Sequence, residues 1–347
     1  MLAVSEPRLS VIIACHNETQ TIERKLDNCL ALLSTEPLEI LVVDDHSSDG
    51  TAQAAADVLR ARLPLPAGRT VRLLTNHLAP GKNGALQTAF AEARGAVLLV
   101  TDADIYLDRD VLSRGCAYFG ADPQLGALCL SPAITSADAE AAADFAGAYE
   151  RFNRWLKMQQ SRLDSVPILH GQAMFLRAGI GLTPHPDLPA DDVDFAIQVR
   201  LQGFRVRYAP EIPFHERISS ERHMVCRQKR RRAIAVMRSL WHHRRVLLNP
   251  RYGLFGLLCF PADFFLYFAL APLLAAAGVA AAAWAVSTLG LRGAGLVVLA
   301  LAVLALPRVR AVSLYVGLLL TAAATLLLER TPRIRWRTQR SAISRSA

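Results

Sequence analysis

The chain has 347 residues, a formal net charge of +9 and 52% hydrophobic residues. This length exceeds the usual span of one soluble domain, and between Gly253 and Leu328 the only charged side chains are Asp263, Arg292, Arg308 and Arg310. Such a composition excludes a wholly soluble globular protein and predicts that the C-terminal third lies in a bilayer.

The N-terminus predicts that the first domain stays in the cytoplasm. Residues 1–8 are short and contain Glu6, and the apolar run 9–15 leads directly into His16-Asn17-Glu18. This arrangement is unlike a secretory signal. The six cysteines form no C-x-x-C pair, which is consistent with free thiols in a reducing compartment.

Alternating apolar runs and helical patterns predict an α/β domain with a parallel sheet. Strands are predicted at 10–14, 39–43, 71–75 and 96–100. Helices are predicted at 19–33, 52–63, 85–93 and 193–201.

Three carboxylate clusters follow apolar runs or open a helical pattern: Asp44-Asp45, Asp102-Ala103-Asp104 and Asp191-Asp192. The carboxyl ends of parallel strands meet at one edge of a sheet, so folding can bring these clusters together. Each cluster also has a plainer interpretation. Asp44 or Asp45 can cap a helix, Asp102-Ala103-Asp104 can be a solvated turn, and Asp191-Asp192 can open a helix where acids suit the dipole.

The order and spacing of these motifs resemble glycosyltransferase family 2, the inverting transferases with a Rossmann-like, nucleotide-sugar-binding GT-A fold. The matching strings are VVDDHSSDGT at 42–51, GKNGAL at 81–86, TDAD at 101–104, ADDVDF at 190–195 and QGFRVRY at 202–208. The resemblance covers roughly residues 9–232. As an ordered set, these motifs are more specific than any one of them.

The resemblance implies a divalent cation, Mg2+ or Mn2+, at the second cluster. Asp104 would be the direct metal ligand, and Asp102 would contact the donor ribose or sugar or reach the metal through water. A nucleotide-sugar has a diphosphate leaving group, and hard cations prefer the oxygens of carboxylates and phosphates.

The resemblance also implies donor contacts on the first loops. Asp45 would hydrogen-bond the nucleotide base, with Glu18 near the same base or the ribose, and Asp44 would have the structural role. Lys82 follows Pro80-Gly81, and its charge would reach the diphosphate.

On the acceptor side, the resemblance makes Asp192 the catalytic base, with Asp191 where the family commonly has glutamate. Inversion needs one base that removes the proton of the attacking hydroxyl, and a neighbouring carboxylate raises the proton affinity of one member of the pair. The string His170-Gly171-Gln172 lies where the family lines the acceptor site.

Gln228 and Arg231 match two positions of the Q-x-x-R-W element found in processive family members. Arg232 stands in the tryptophan position, which argues against processive synthesis. Membrane-surface charge is the competing explanation of this string.

A basic amphipathic helix is predicted at 221–251, with Ile234, Met237, Leu240 and Trp241 at helical spacing. Anionic membrane lipids are the expected partner of such a helix. Nucleic acid is not, because a bilayer segment follows and aromatic stacking platforms are missing.

The predicted domains are therefore 1–220, 221–251, a transmembrane segment at 252–329 and a basic tail at 330–347. Two or three helices fit the transmembrane segment, including one at 311–328. Three would place the C-terminus outside, whereas the basic tail favours an even number.

Together these observations predict a multi-pass protein of the inner cell membrane with a cytoplasmic catalytic domain. Its expected reaction is metal-dependent, inverting transfer from a nucleotide-sugar, with a UDP-sugar as first candidate, to a lipid-linked or growing glycan acceptor. The alternatives are a processive polysaccharide synthase and a non-catalytic nucleotide-sugar sensor. A nucleotidyltransferase is disfavoured because the chain lacks a glycine-rich, lysine-bearing N-terminal loop.

Overall fold

The described part of the chain divides into two units. The computed structural model describes residues 9–133, 145–216, 222–305, 316–317 and 319–325. Within these, the first unit contains residues 9–133 and 161–216, and the second contains residues 145–160 and those from 222 onward. All three carboxylate clusters belong to the first unit, and the apolar C-terminal helices belong to the second.

An eight-stranded sheet is the centre of the first unit. Its strands are β1 (Leu9–Cys15), β2 (Leu38–Asp44), β3 (Arg69–Thr75), β4 (Val97–Asp102), β5 (Ile105–Leu107), β6 (Leu125–Pro132), β7 (Ala173–Arg177) and β8 (Arg205–Glu216). They lie in the order β3-β2-β1-β4-β7-β6-β8-β5. Every residue of β1 is buried, as expected of a central strand with both faces covered.

Helices follow the strands. They are α1 (Ile22–Leu30), α2 (Thr51–Ala61), α3 (Lys82–Glu92), α4 (Val111–Ala121), α5 (Phe145–Leu163) and α6 (Asp191–Leu201). α1 buries Ile22, Leu26 and Cys29, which recur on one helical face. Gly50 precedes α2 with φ of 86°, a left-handed conformation that glycine adopts without a steric penalty.

The register of the parallel strands aligns their carboxyl ends. Cys15 of β1 pairs with Asp44 of β2, and Ala14 pairs with Asp102 of β4. The first two carboxylate clusters therefore lie on either side of the end of β1. This confirms the expectation that they meet at one edge of the sheet.

The strands and helices predicted for the α/β domain are present within about three residues of their expected bounds, whereas the amphipathic helix predicted at 221–251 ends at His242. The second half of the sheet differs from the prediction of a parallel sheet, because β7 pairs antiparallel with both β4 and β6. An apolar run indicates a buried strand but does not indicate its direction. The fold is therefore an α/β fold with a mixed sheet.

The second unit contains α7 (Arg222–His242), a π-helical turn (Phe255–Cys259), α8 (Phe260–Phe268), α9 (Leu270–Leu289) and α10 (Leu291–Ala305). Ile234, Met237 and Leu240 of α7 are buried within the protein. The prediction that they contact a leaflet is therefore wrong. Trp241 remains half exposed, with its ring stacked on Phe264.

Among the described residues, α9 is the one helix that is long and apolar enough to cross a membrane. Its side chains are almost all exposed, including Val279 and Trp284. The neighbouring apolar helices are shorter, so the predicted two or three spans are not confirmed. Half of the span predicted at 311–328 lies outside the described residues, and the basic tail at 330–347 lies wholly outside them.

Candidate active site

Asp44 and Asp45 end β2 in different surroundings. Asp45 is 3% exposed, its Oδ1 accepts a hydrogen bond from Asn76 Nδ2 (2.6 Å), and its Oδ2 accepts one from Gly81 N (2.8 Å). Asp44 Oδ2 accepts from Ser47 N at 3.2 Å, but its buried Oδ1 has no hydrogen-bond partner among the described residues. Both oxygens of Asp45 thus accept hydrogen bonds within the fold, whereas one buried oxygen of Asp44 accepts none from the described residues.

The turn that follows is fixed by side-chain hydrogen bonds. Asp49 Oδ1 accepts from Thr51 N (3.0 Å), and Asp49 Oδ2 accepts from Thr19 N (3.2 Å). Burial would raise the pKa of Asp49, but these hydrogen bonds outweigh it, so the pKa lies below its usual value. Glu18 N also donates to Thr51 Oγ1 (2.8 Å), which holds the first loop against the second.

The carboxylates around the end of β1 are close enough to act on Cys15. Burial raises the pKa of this thiol, and Glu18, Asp44 and Asp102 raise it further. Glu18 therefore lies beside the first two clusters, where the sequence predicts it.

Lys82, the first residue of α3, connects the second and third clusters. Its Nζ lies 2.9 Å from Asp102 Oδ1 and 3.2 Å from Asp191 Oδ2, and it donates to the carbonyl of Gly171 at 3.0 Å. Burial would lower the pKa of Lys82, but the two carboxylates outweigh burial and raise it. Because the preceding Gly81 binds Asp45, all three carboxylate clusters meet at the start of α3.

Asn83 ties the same end of α3 to the loop before α6. Its Nδ2 donates to the carbonyls of His185 and Leu188. This loop leads directly into Asp191 and Asp192. The start of α3 is thus hydrogen-bonded to the loop before α6 as well as to Asp45.

Asp102 and Asp104 belong to the turn between β4 and β5. Burial, and then the neighbouring Asp102 and Glu216, raise the pKa of Asp104 to about 6. Asp102 N donates to the carbonyl of Gln172 (3.0 Å), which places this turn beside the segment before β7. The turn therefore concentrates negative charge in a partly desolvated place.

Asp191 and Asp192 open α6, as the sequence predicts. Burial raises the pKa of Asp191 to about 6, Lys82 opposes this effect, and Asp192 adds to it. Gly171 lies against Asp192, since a Cβ at Gly171 would be 3.3 Å from Asp192 Cβ and 3.4 Å from its Oδ2. Gly171 therefore leaves the space that Asp192 occupies.

The carboxylates of the Asp104 turn suit a hard divalent cation that the protein and its substrate bind together. Asp102 and Asp104 supply carboxylate oxygens, the ligand type that Mg2+ and Mn2+ prefer. Within the described ranges, no group of three or more His, Cys, Asp or Glu side chains is arranged to hold a metal alone. The residues present thus fit a cation that completes its coordination with phosphate oxygens and water.

Two predicted acceptor-side residues, Gln228 and Arg231, lie on α7 in the second unit. The side chain of Gln228 falls outside the described residues, and Arg231 is partly buried. Burial lowers the pKa of Arg231.

The sequence predicts no role for Glu216, and it predicts Gln172 only as part of the string His170-Gly171-Gln172. Glu216 pairs with Ile105 across the β5–β8 ladder, next to Asp104, and its Oε2 accepts from Gln172 Nε2 (3.3 Å). The neighbouring His215 contacts Asp108 instead (2.9 Å). The acidic residue at the end of β8 was a visible signal, but only the strand pairing shows which side chain faces the Asp104 turn.

Two family models match the chain. Glycosyl transferase family 2 matches residues 10–180, and Glycosyl transferase family group 2 matches residues 97–328. The second match alone covers more than half of the sequence.

Three similar proteins illustrate the relationship. A Pyrobaculum calidifontis mannosyltransferase, solved with GDP-Man and Mn2+, is 26% identical with a TM-score of 0.75, covering 94% of this chain and 88% of that one. Poly-beta-1,6-N-acetyl-D-glucosamine synthase of Staphylococcus aureus is 27% identical over 205 residues, 58% of this chain and 48% of the relative. Beta-monoglucosyldiacylglycerol synthase of Synechocystis is 27% identical over 217 residues, 61% of this chain and 44% of the relative.

The match spans about half the length of these curated relatives. The family assignment rests on the ordered motifs, the α/β fold with its mixed sheet and the two family models together. The chain belongs to the family 2 glycosyltransferases and has their GT-A fold.

Proposed function

We propose that this glycosyltransferase moves a sugar with inversion from a nucleotide-sugar to a lipid-linked or growing glycan acceptor at a membrane, with Mg2+ or Mn2+. The observation that carries the proposal is the position of Lys82, which joins Asp102 to Asp191 while Gly81 binds Asp45. One helix start therefore connects a donor pocket, a cation site and an acceptor-side base.

The donor base and ribose bind at the loops of Glu18, Asp44 and Asp45. Asp45 shapes this pocket because both of its oxygens are already hydrogen-bonded within the fold. Asp44 Oδ1, which has no partner among the described residues, is the better acceptor for a hydrogen bond from the base. The two residues thus exchange the roles that the sequence predicts for them, in which Asp45 binds the base and Asp44 is structural. A UDP-sugar is the first candidate donor, and the GDP-Man complex of the similar mannosyltransferase adds GDP-sugars to the set to be tested.

The diphosphate binds near Lys82, Asp102 and Asp104. When bound, the divalent cation neutralises the charge that develops on the departing diphosphate. Asp104 and Asp102 would hold that ion, and Lys82 would supply a second positive charge. Lys82 can then exchange its carboxylate partners for phosphate oxygens.

Asp192 is the base. It accepts the proton of the acceptor hydroxyl while that oxygen bonds to the anomeric carbon and the bond from that carbon to the diphosphate oxygen breaks on the opposite face. Asp191 pairs with Lys82 and adds negative charge beside Asp192, which favours proton uptake by the pair. Gly171 leaves room for the acceptor-facing oxygen.

The membrane setting rests on the second unit. α9 is exposed, apolar and twenty residues long, which is sufficient to cross a bilayer. Lys229, Arg230 and Arg232 of α7 are exposed cations suited to an anionic leaflet. We therefore propose an inner-membrane enzyme with its catalytic unit in the cytoplasm and further spans in the segment 252–329.

A processive polysaccharide synthase is the second candidate, since a matched relative is a poly-beta-1,6-N-acetyl-D-glucosamine synthase. Gln228 and Arg231 favour it, and Arg232 in the tryptophan position disfavours it because an arginine there provides no aromatic surface for a sugar. The length distribution of the product distinguishes single transfer from processive synthesis.

A donor panel tests the proposed reaction. Membranes containing the protein are incubated with UDP-sugars and GDP-sugars, with Mn2+ or with a chelator. Release of nucleoside diphosphate from one donor, dependent on Mn2+, is the expected result. Pyrophosphate release would indicate a nucleotidyltransferase, and no turnover with any donor would support the non-catalytic sensor.

A further inference from the structure

A buried lysine on α1 lies beneath the turn that carries the proposed metal ligands. Lys25 is 0% exposed. Its Nζ donates to Thr101 Oγ1 (2.8 Å) and to the carbonyl of Ile105 (2.6 Å). These two acceptors lie immediately before and immediately after Asp102-Ala103-Asp104, so one ammonium group joins both ends of the turn.

Asn28, one helical turn further along α1, holds the next part of the same segment. Its Nδ2 donates to the carbonyl of Leu107 (2.8 Å), and its Oδ1 accepts from Leu107 N (3.0 Å). Residues three apart on a helix share a face, so Lys25 and Asn28 act on the turn from one side. We call this pair the α1 brace.

Packing alone does not explain a lysine at this position. Burial lowers the pKa of Lys25, which reflects the unfavourable transfer of an ammonium from water, while Asp102 and Asp104 oppose that shift. A leucine or methionine would fill the space without this penalty. The charge and its two hydrogen bonds are therefore what distinguish lysine here.

We propose that Lys25 and Asn28 are positioning residues, which fix the Asp102–Asp104 turn in the geometry that binds the divalent cation and the donor diphosphate. This inference rests on the proposed function of Asp102 and Asp104. α1 also follows directly on the Glu18 loop, so the brace connects the proposed nucleotide loop to the proposed cation site through one short helix.

Asn28→Ala is the principal test, because it changes no charge and leaves Lys25 in place. Lys25→Met is the second variant, and Arg60→Met, which removes an exposed cation from α2, is the control. The full-length protein is titrated with Mn2+ alone and with Mn2+ plus UDP or GDP. Amide hydrogen exchange of residues 101–107 is followed in parallel.

We expect Asn28→Ala to weaken Mn2+ binding about tenfold, as loss of an outer-shell partner commonly does, and to speed exchange at the Leu107 amide. Lys25→Met also removes a like charge near the cation. Weaker Mn2+ binding in that variant would therefore show that positioning outweighs repulsion, and equal or tighter binding would contradict the positioning role.

Two outcomes separate this inference from the proposed function. Mn2+ binding that is lost in Asp104→Asn but remains at the wild-type level in Asn28→Ala would overturn the brace and keep the cation site. Mn2+ binding unaffected by Asp104→Asn would overturn both.

Discussion

The nucleotide-loop region around Asp45 and Asp49 and the cation-site region around Asp104 and Asp191 lie at the same edge of one sheet but differ in how their charges are compensated. Hydrogen bonds place the pKa of Asp49 below its usual value. Burial and neighbouring carboxylates raise the pKa values of Asp104 and Asp191 to about 6. Within the described residues, the carboxylates of Asp45 and Asp49 accept hydrogen bonds from the fold, whereas Asp104 and Asp191 are buried beside other carboxylates.

This difference indicates where the protein is prepared for a ligand. Carboxylates that are saturated by N–H and O–H donors hold loops in place. Carboxylates that are desolvated beside one another are destabilised until a cation reaches them.

Replacing the proposed base gives the largest expected effect. Asp192→Asn keeps the shape of the side chain but cannot accept a proton, so kcat should fall about 10³-fold, the range of general-base catalysis. Donor binding, measured by titration with the nucleoside diphosphate and Mn2+, should be unchanged. Asp187→Asn, on the preceding loop, is the control, and near-normal turnover in Asp192→Asn would refute the assignment.

Lys82→Met should weaken donor binding about 10-fold to 100-fold, because it removes a charged partner of the diphosphate. It also leaves Asp102 and Asp191 without their shared cation, so the free energy of unfolding should fall by about 1–3 kcal/mol. The fall should be larger at pH 8 than at pH 5, since the pKa of Asp191 is about 6 and the group is neutral at the lower pH. Chemical denaturation at both pH values checks this, and an equal loss at both would contradict the ion-pair account.

Gly171→Ala tests the space beside Asp192. The new methyl would lie 3.3 Å from Asp192 Cβ, closer than ordinary contact, so the base must shift by a few tenths of an ångström. We expect kcat to fall about tenfold with donor affinity retained, since small misplacements of reacting groups lower rates strongly. Gly120→Ala, where a Cβ meets no atom within 4 Å, is the matched control. Equal rates in the two variants would show that this space is not needed.

Asp45→Asn tests whether the hydrogen bonds of Asp45 stabilise the nucleotide-loop region, and the quantity measured is the free energy of unfolding. The amide replaces one acceptor oxygen by a donor that faces Asn76 Nδ2 or Gly81 N, so unfolding should require about 1–3 kcal/mol less free energy. Asp44→Asn should cost less stability, because its Oδ1 has no partner within the described residues, and should instead weaken donor binding. The reverse pattern in thermal unfolding and nucleotide titration would exchange the roles of the two residues.

Much of the structure around Asp44 and Asp102 could be predicted, because the sequence patterns that specify its strands are local. Apolar runs that end in Asp44 and Asp102 alternate with helical patterns, which predicts parallel strands, and the carboxyl ends of such strands meet at one edge of a sheet. The partners of those side chains could not be predicted. The contacts of Lys82 with Asp102 and Asp191 join positions far apart in sequence, and Glu216 reaches the Asp104 turn only through the pairing of β5 with β8.

In the second unit, the sequence pattern predicts a helix correctly but does not predict what the helix contacts. The spacing of Ile234, Met237 and Leu240 gives an amphipathic helix whether its apolar face meets lipid or protein, and in this fold the face is buried in protein. Periodicity indicates which residues leave water and not what they contact. For α9, by contrast, length and apolar composition are sufficient for crossing a membrane, and few of its side chains are buried in the protein.

Mn2+ binding in the presence of UDP or GDP, measured as a function of pH, tests whether the carboxylates of the Asp104 turn hold a divalent cation together with the donor diphosphate. The raised pKa of Asp104 predicts that affinity is full above about pH 6 and falls as pH drops through about 6, where the carboxylate becomes protonated. Asp104→Asn should lose the binding at every pH, while Asp110→Asn, an exposed acid nearby, should keep the wild-type profile. Wild-type affinity in Asp104→Asn, or a midpoint near the ordinary aspartate value, would contradict the account.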